Sequence, residues 1–144
     1  MAERPRHELA DYLRQLDQSA RGQLRKHGVR FGQHNVFIPA LLKPAPTRLR
    51  LILWGLAERL DEIPSPPPPG HVTIPAIEGA PEGFYPMAGY RLCGPRAVRL
   101  DMLERLADMI RQVDARAGFE ATPDMLSITG ATLEQFAQMM EGLG

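Results

Sequence analysis

Leu9, Leu13, Leu16, Ala20 and Leu24 recur at intervals of three or four residues, which predicts a helix over residues 4–27 with one apolar face. Gly28 suits the left-handed position that ends a helix, and Gly22 weakens the last turns. The pattern then changes. Val29–Phe31 and Asn35–Ile38 read as two short strands, and Gly32-Gln33-His34 between them predicts a hairpin. The run PALLKPAP, Pro39 to Pro46, is excluded from a helix interior or a central strand because each proline lacks an N–H. It reads as a stiff connector. A second helix is predicted over 46–62, with Leu49, Ile52, Leu53, Leu56 and Leu60 on one face and Arg48, Glu58 and Arg59 away from it.

Ile63–Gly70, IPSPPPPG, contains four consecutive prolines and predicts an extended polyproline linker. HVTIPAI, residues 71–77, reads as a strand that Pro75 confines to a sheet edge. Residues 78–90 are turn-rich, and YRLC after them reads as a further short strand. A third helix is predicted to start at Gly94-Pro95, to bury Val98, Met102, Leu103, Leu106, Met109, Ile110 and Val113, and to stop at Gly118. Two short helices follow. Thr122-Pro123 opens the first, and Thr132-Leu133-Glu134-Gln135 opens the second with a capping-box pattern. The fold class is therefore α+β, mainly helical, with about five helices and short strands or a hairpin near 29–38 and 71–93. The expected organisation is an N-terminal part of helices and a basic hairpin segment over 1–62, a proline-rich linker over 63–70 and a helical part over 71–144, or else one compact domain overall.

Composition adds little until charge is resolved along the chain. The 144 residues carry no formal net charge, so no global field draws the protein to nucleic acid or membrane. Arg21 to Arg59 nevertheless holds eight basic residues and one acid, whereas Gly118 to the end holds four acids and no Lys or Arg. The single cysteine rules out an intramolecular disulfide. No apolar run reaches the roughly 20 residues that cross a bilayer. The expected setting is cytoplasmic, with no membrane partner.

Catalytic chemistry finds no support. The chain lacks a phosphate-binding G-x-x-x-x-G-K-[ST] loop, and its histidines show no metal-ligand spacing. Cys93, in RLCGPR, has the arginines and helix start that would activate an exposed thiol, against the simpler reading of a small buried residue. The expectation is a chain without enzyme activity or a cofactor of its own. The C-terminal helix pair resembles a DNA reader in outline, but Glu134 and Glu141 would face phosphates with no cation to offset them.

The basic segment carries the candidate site: Arg25, Lys26, Arg30, His34, Lys43, Arg48 and Arg50. Cations at a helix C-terminus offset the helix dipole, which accounts for Arg25 and Lys26. That account fails for Arg48 and Arg50, which lie near a helix start and so favour phosphate contact, while an intramolecular or domain-docking role stays an equal alternative for the segment as a whole. Phe31, Phe37 and Trp54 are candidates for stacking, although Phe37 and Trp54 are better read as core.

Three stretches, "LRKHGVRFGQHNVFIPALLKPAPTRLRLILW", "YPMAGYRLCGPRAVRLDMLERLADMIR" and "FEATPDMLSITGATLEQFAQMMEGLG", together cover most of residues 20–144 outside the linker. In this order they resemble the region that follows the motor domains in alphaproteobacterial relatives of the mitochondrial Suv-type RNA helicases, superfamily-two enzymes of the DEAD/DEAH-box kind. The resemblance implies a C-terminal accessory domain beside two RecA-like motor domains, helping to hold RNA or DNA, with ATP and Mg bound only by the parent helicase. Neither a phosphate loop nor a DExH/D motif is present, so the chain is expected to be a fragment that does not hydrolyse ATP, its end at Gly144 falling in mid-protein. No catalytic residue transfers, and the basic residues rest on charge and position alone. The partners expected are RNA or DNA and the motor domains of the same parent chain. The alternative is a protein-interaction or self-association module without nucleic-acid binding, to which the seven methionines lend adaptable surface.

Overall fold

A computed structural model of the chain describes residues 3–5, 9–113 and 118–143. Helices and short antiparallel sheets alternate along it, an α+β arrangement. The residues divide into two units, Met1–Pro66 with Pro86–Gly89 and Pro67–Tyr85 with Tyr90–Gly144. The first division falls inside the proline run. The return of Pro86–Gly89 to the first unit has no counterpart in a linear reading.

In the first unit, β1 (Glu3–Pro5) and β2 (Arg30–Phe31) flank β3 (Asn35–Phe37) in an antiparallel sheet. The expected hairpin is present: Arg30 pairs with Phe37 and Phe31 with Val36, and the Gly32 N–H donates to the Asn35 carbonyl at 2.8 Å. The helix expected over 4–27 is not one element. Residues 3–5 are strand, residues 6–8 lie outside the described set, and two helices follow, α1 (Ala10–Gln15) and α2 (Gln18–Lys26). Asp17 makes the break. Its carboxylate accepts from the Ala20 N–H at 2.7 Å, starting a new helix where the apolar period alone would continue the old one. A cap of this kind contributes about 1 kcal/mol.

Helix α2 runs through Gly22 and closes in a Schellman motif: the Gly28 N–H reaches the Arg25 carbonyl at 3.0 Å and the Val29 N–H the Leu24 carbonyl at 3.1 Å. Gly28 has φ of 87°, the left-handed conformation this motif needs.

The connector after β3 is a 3-10 turn, η1 (Pro39–Leu42), followed directly by α3 (Pro44–Ala57). The helix begins earlier and ends sooner than the 46–62 expected. Pro44 and Pro46 fit its first turn, where backbone N–H groups have no intrahelical partner. At the other end Arg59 adopts φ of 55°, and the Leu60 N–H turns back to the Gly55 carbonyl at 3.0 Å.

Apolar stripes ordinarily mark the buried side of a helix. Helix α3 does the reverse. Thr47, Leu51 and Gly55 form its buried face, with Leu51 0% exposed, while Leu49, Leu53 and Leu56 are 57%, 59% and 63% exposed. Ile52 is exposed as well. Only Thr47, Arg48 and Arg50 among its residues carry polar side chains, so its sequence is apolar nearly all round. Small residues four positions on either side of Leu51 select the inner face, because they let the helix approach closely. A Cβ added at Gly55 would stand 3.3 Å from Ile63 Cγ1.

In the second unit, β6 (Arg96–Arg99) is central between β4 (Thr73–Pro75) and β5 (Tyr90–Cys93). Pro75 lies on an edge strand, as expected. The glycine-rich stretch before β5 contains a short helix, α4 (Phe84–Ala88), of which Phe84 and Tyr85 belong to this unit. Gly94-Pro95 does not start a helix. It is the turn of the β5–β6 hairpin, with Gly94 at φ of 59°, and α5 begins only at Leu100 and runs to Arg111. Val98, expected on the helix, is a strand residue with no exposed surface. The stop expected at Gly118 lies beyond residues 114–117, outside the described set.

Helices α6 (Pro123–Thr129) and α7 (Leu133–Leu143) match the expected pair. Thr122 caps α6 through the Met125 N–H. Thr132 and Gln135 form a reciprocal capping box at 3.1 and 3.2 Å. Cys93, Val98, Leu103, Leu106, Met125, Phe136 and Met139 make the core, and Met140 and Leu143 pack against it. The α7 backbone comes close to the hairpin turn: a Cβ at Gly94 would stand 2.8 Å from the Gln138 carbonyl oxygen.

Candidate nucleic-acid interface

Between Arg21 and Ala57 the chain carries seven cations and no carboxylate. This segment builds α2, the β2–β3 hairpin, η1 and α3, all in the first unit. Arg25 and Lys26 occupy the last turn of α2 and are exposed. The Schellman turn at Gly28 then brings β2 back beside the helix end. Consequently the Arg25 guanidinium lies over the Phe31 ring, 5.6 Å from its centroid. Arg30, next to Phe31 on the strand, points its side chain to solvent, and His34 is exposed at the hairpin turn. Arg25, Lys26 and Arg30 thus converge on one end of α2.

Lys43 and Arg48 form a second group at the start of α3, and both are exposed. Lys43 is the N-cap residue and makes no side-chain cap, so the helix start has a cation where an anion would be favoured. Among the described residues, Arg25, Lys26, Arg30, Lys43 and Arg48 take part in no ion pair. Their charge is available to an external anion.

Arg50 behaves differently. Half-buried, it donates from Nε to the Met87 carbonyl at 2.6 Å and from Nη1 to the Leu41 carbonyl at 2.8 Å. It ties Pro86–Gly89 to the connector before α3, an anchoring role that pairing Arg50 with Arg48 in sequence did not suggest. The two arginines lie two positions apart on a helix, and so point to different sides.

The aromatic candidates separate in the same way. Phe37 is buried in the sheet and has no face for a base. Phe31 is half-buried beneath Arg25. Trp54 borders an apolar groove of about 440 Å³ along α3, with Leu41, Pro46, Leu49, Leu53 and Met87 as the other apolar walls and Arg50 at the side. Sequence reasoning had no access to this groove. Met87 reaches it from a distant part of the chain, and the only local signal was an α3 sequence more apolar than one buried face requires.

Cys93 has no exposed surface, and its burial pushes the thiol up to about 11, with Arg91 pulling weakly the other way. A thiolate nucleophile is disfavoured there. The thiol should stay unreactive toward a disulfide reagent at pH 8 in the native protein and react at once in denaturant; rapid native labelling would contradict this burial. Because the folded pKa is raised, the stabilisation from the neutral thiol is full below the ordinary value of 9.0 and is lost as pH rises toward about 11.

No group of three or more His, Cys, Asp or Glu side chains is placed to hold a metal ion among the described residues. No described helix is long and apolar enough to cross a membrane. Comparison with protein-family models, curated proteins and solved structures gives no match.

Proposed function

We propose that this chain is a non-catalytic accessory module of an ATP-dependent helicase in the cytoplasm, whose first unit holds an RNA or DNA strand through Arg25, Lys26, Arg30, Lys43 and Arg48. One observation carries the reading: these five cations are exposed and without ion-pair partners on a segment that has no carboxylate. Placing unpaired cations together is electrostatically unfavourable, and polyanion binding relieves that repulsion with release of counterions. The sequence resemblance to Suv-type helicases supplies the parent, and ATP and Mg belong to its motor domains. Arg50 is left out of the binding set, because its guanidinium is engaged with backbone carbonyls.

Fluorescence anisotropy of labelled single-stranded and duplex RNA and DNA at two salt concentrations tests this. Affinity should fall with salt by roughly 0.9 log units per log unit of salt for each duplex phosphate neutralised. The Arg25→Glu/Lys26→Glu/Arg30→Glu variant should lose binding by about tenfold or more, with Arg48→Glu smaller in the same direction. Binding absent at low salt, or equal in the triple variant, overturns the reading. The alternative, protein interaction, draws on another surface of the same unit: the outward apolar face of α3.

A further inference from the structure

Leu49, Ile52, Leu53 and Leu56 are spaced three, one and three residues apart, which lines them up as a single ridge on the exposed side of α3. Isolated exposed leucines are common and need no explanation. A continuous ridge is different, particularly one beside a groove of about 440 Å³ walled by Leu41, Pro46, Trp54 and Met87. The helix is 14 residues long, or about 21 Å at 1.5 Å per residue, which matches a partner helix of similar length. Leucine ridges of this spacing interlock with the ridge of another amphipathic helix.

Charge decides which helix. Exposed Lys43 and Arg48 lie at the start of α3, Arg50 borders the groove, and the surrounding segment from Arg21 to Ala57 has no carboxylate. A second copy of this face would repeat those cations. Phosphate, for its part, has nothing to gain from a leucine ridge. We propose that the outward face of α3 and its groove dock an amphipathic helix of a protein partner, with an apolar ridge flanked by Asp and Glu. Of the strand-binding residues only Lys43 and Arg48 adjoin this surface, whereas Arg25, Lys26 and Arg30 lie on α2 and β2; a peptide titration made without nucleic acid therefore tests the docking by itself.

Trp54, the only tryptophan in the chain, borders the groove and reports on it directly. The intact protein would be titrated with a synthetic helix of about 20 residues, leucine on one face and glutamate on its flanks, labelled for anisotropy. Two control peptides are needed: one of the same composition in scrambled order, and one with lysine replacing glutamate. Saturable binding with a blue shift of Trp54 emission is expected for the glutamate helix, and at least about tenfold weaker binding for both controls. Leu49→Gln/Leu53→Gln, which alters only exposed side chains and adds no charge, should weaken binding by at least about tenfold with unchanged far-ultraviolet circular dichroism. Equal binding of the scrambled peptide, absence of binding, or equal binding by the double variant overturns the proposal. So does a wild-type dimer in sedimentation that the double variant converts to monomer, since the face would then belong to a second copy.

Discussion

Leu51→Ala is expected to cost about 2–5 kcal/mol of unfolding free energy, and Leu53→Ala, on the same helix, less than about 0.5 kcal/mol. The contrast follows from the orientation of α3. Leu51 has no exposed surface and lies between Thr47 and Gly55 on the inner face, so truncation leaves a cavity that the small neighbours cannot fill. Leu53 is 59% exposed on the opposite ridge, where alanine removes little buried area and slightly favours the helix. Urea unfolding followed through Trp54 measures both, because that residue reports on the first unit. Equal costs at the two positions would mean that the leucine ridge is buried, and the docking face proposed for it would fall with that result.

Phe136→Ala is expected to cost about 3–5 kcal/mol in the second unit. Phe136 is buried in the core with Leu103, Leu106, Met125 and Met139, and its ring meets Phe119 edge-on at a centroid distance of 6.5 Å. The aromatic pair adds about 0.5–1.5 kcal/mol beyond the area it buries. Helix α7 leans on the β5–β6 turn through backbone at Gly94, and its seating there leaves little room for it to slide and fill the void. Circular dichroism during urea unfolding should show the loss in the helical signal. A change under about 1 kcal/mol would place Phe136 outside the packed core.

Local chemistry was legible wherever two or three neighbouring residues decide the outcome. Gly28 ends α2, Thr132 with Gln135 starts α7, the hairpin turns at 32–34, and Pro75 keeps β4 at an edge. The errors share a cause. At Asp17 a capping carboxylate overrode an apolar period that continued through it, and at Gly94-Pro95 a dipeptide compatible with either a helix start or a hairpin turn served the turn. Pairing of β6 with strands on both sides settled the second case, and β4 is more than 20 residues away from it in the chain.

For the candidate site, the sequence by itself determined the charge: seven cations without a carboxylate from Arg21 to Ala57, and with them the case for an anionic partner. Only the tertiary structure decided which cations are available. Arg50 is held by the carbonyls of Leu41 and Met87, whereas Arg48 is exposed and unpaired, because backbone acceptors, one from the adjoining turn and one from a remote segment, reach one arginine and not the other. The orientation of α3 was settled the same way. A helix that is apolar nearly all round has no preferred face of its own, and its neighbours chose the side where Thr47 and Gly55 let them come closest, leaving the leucines outside.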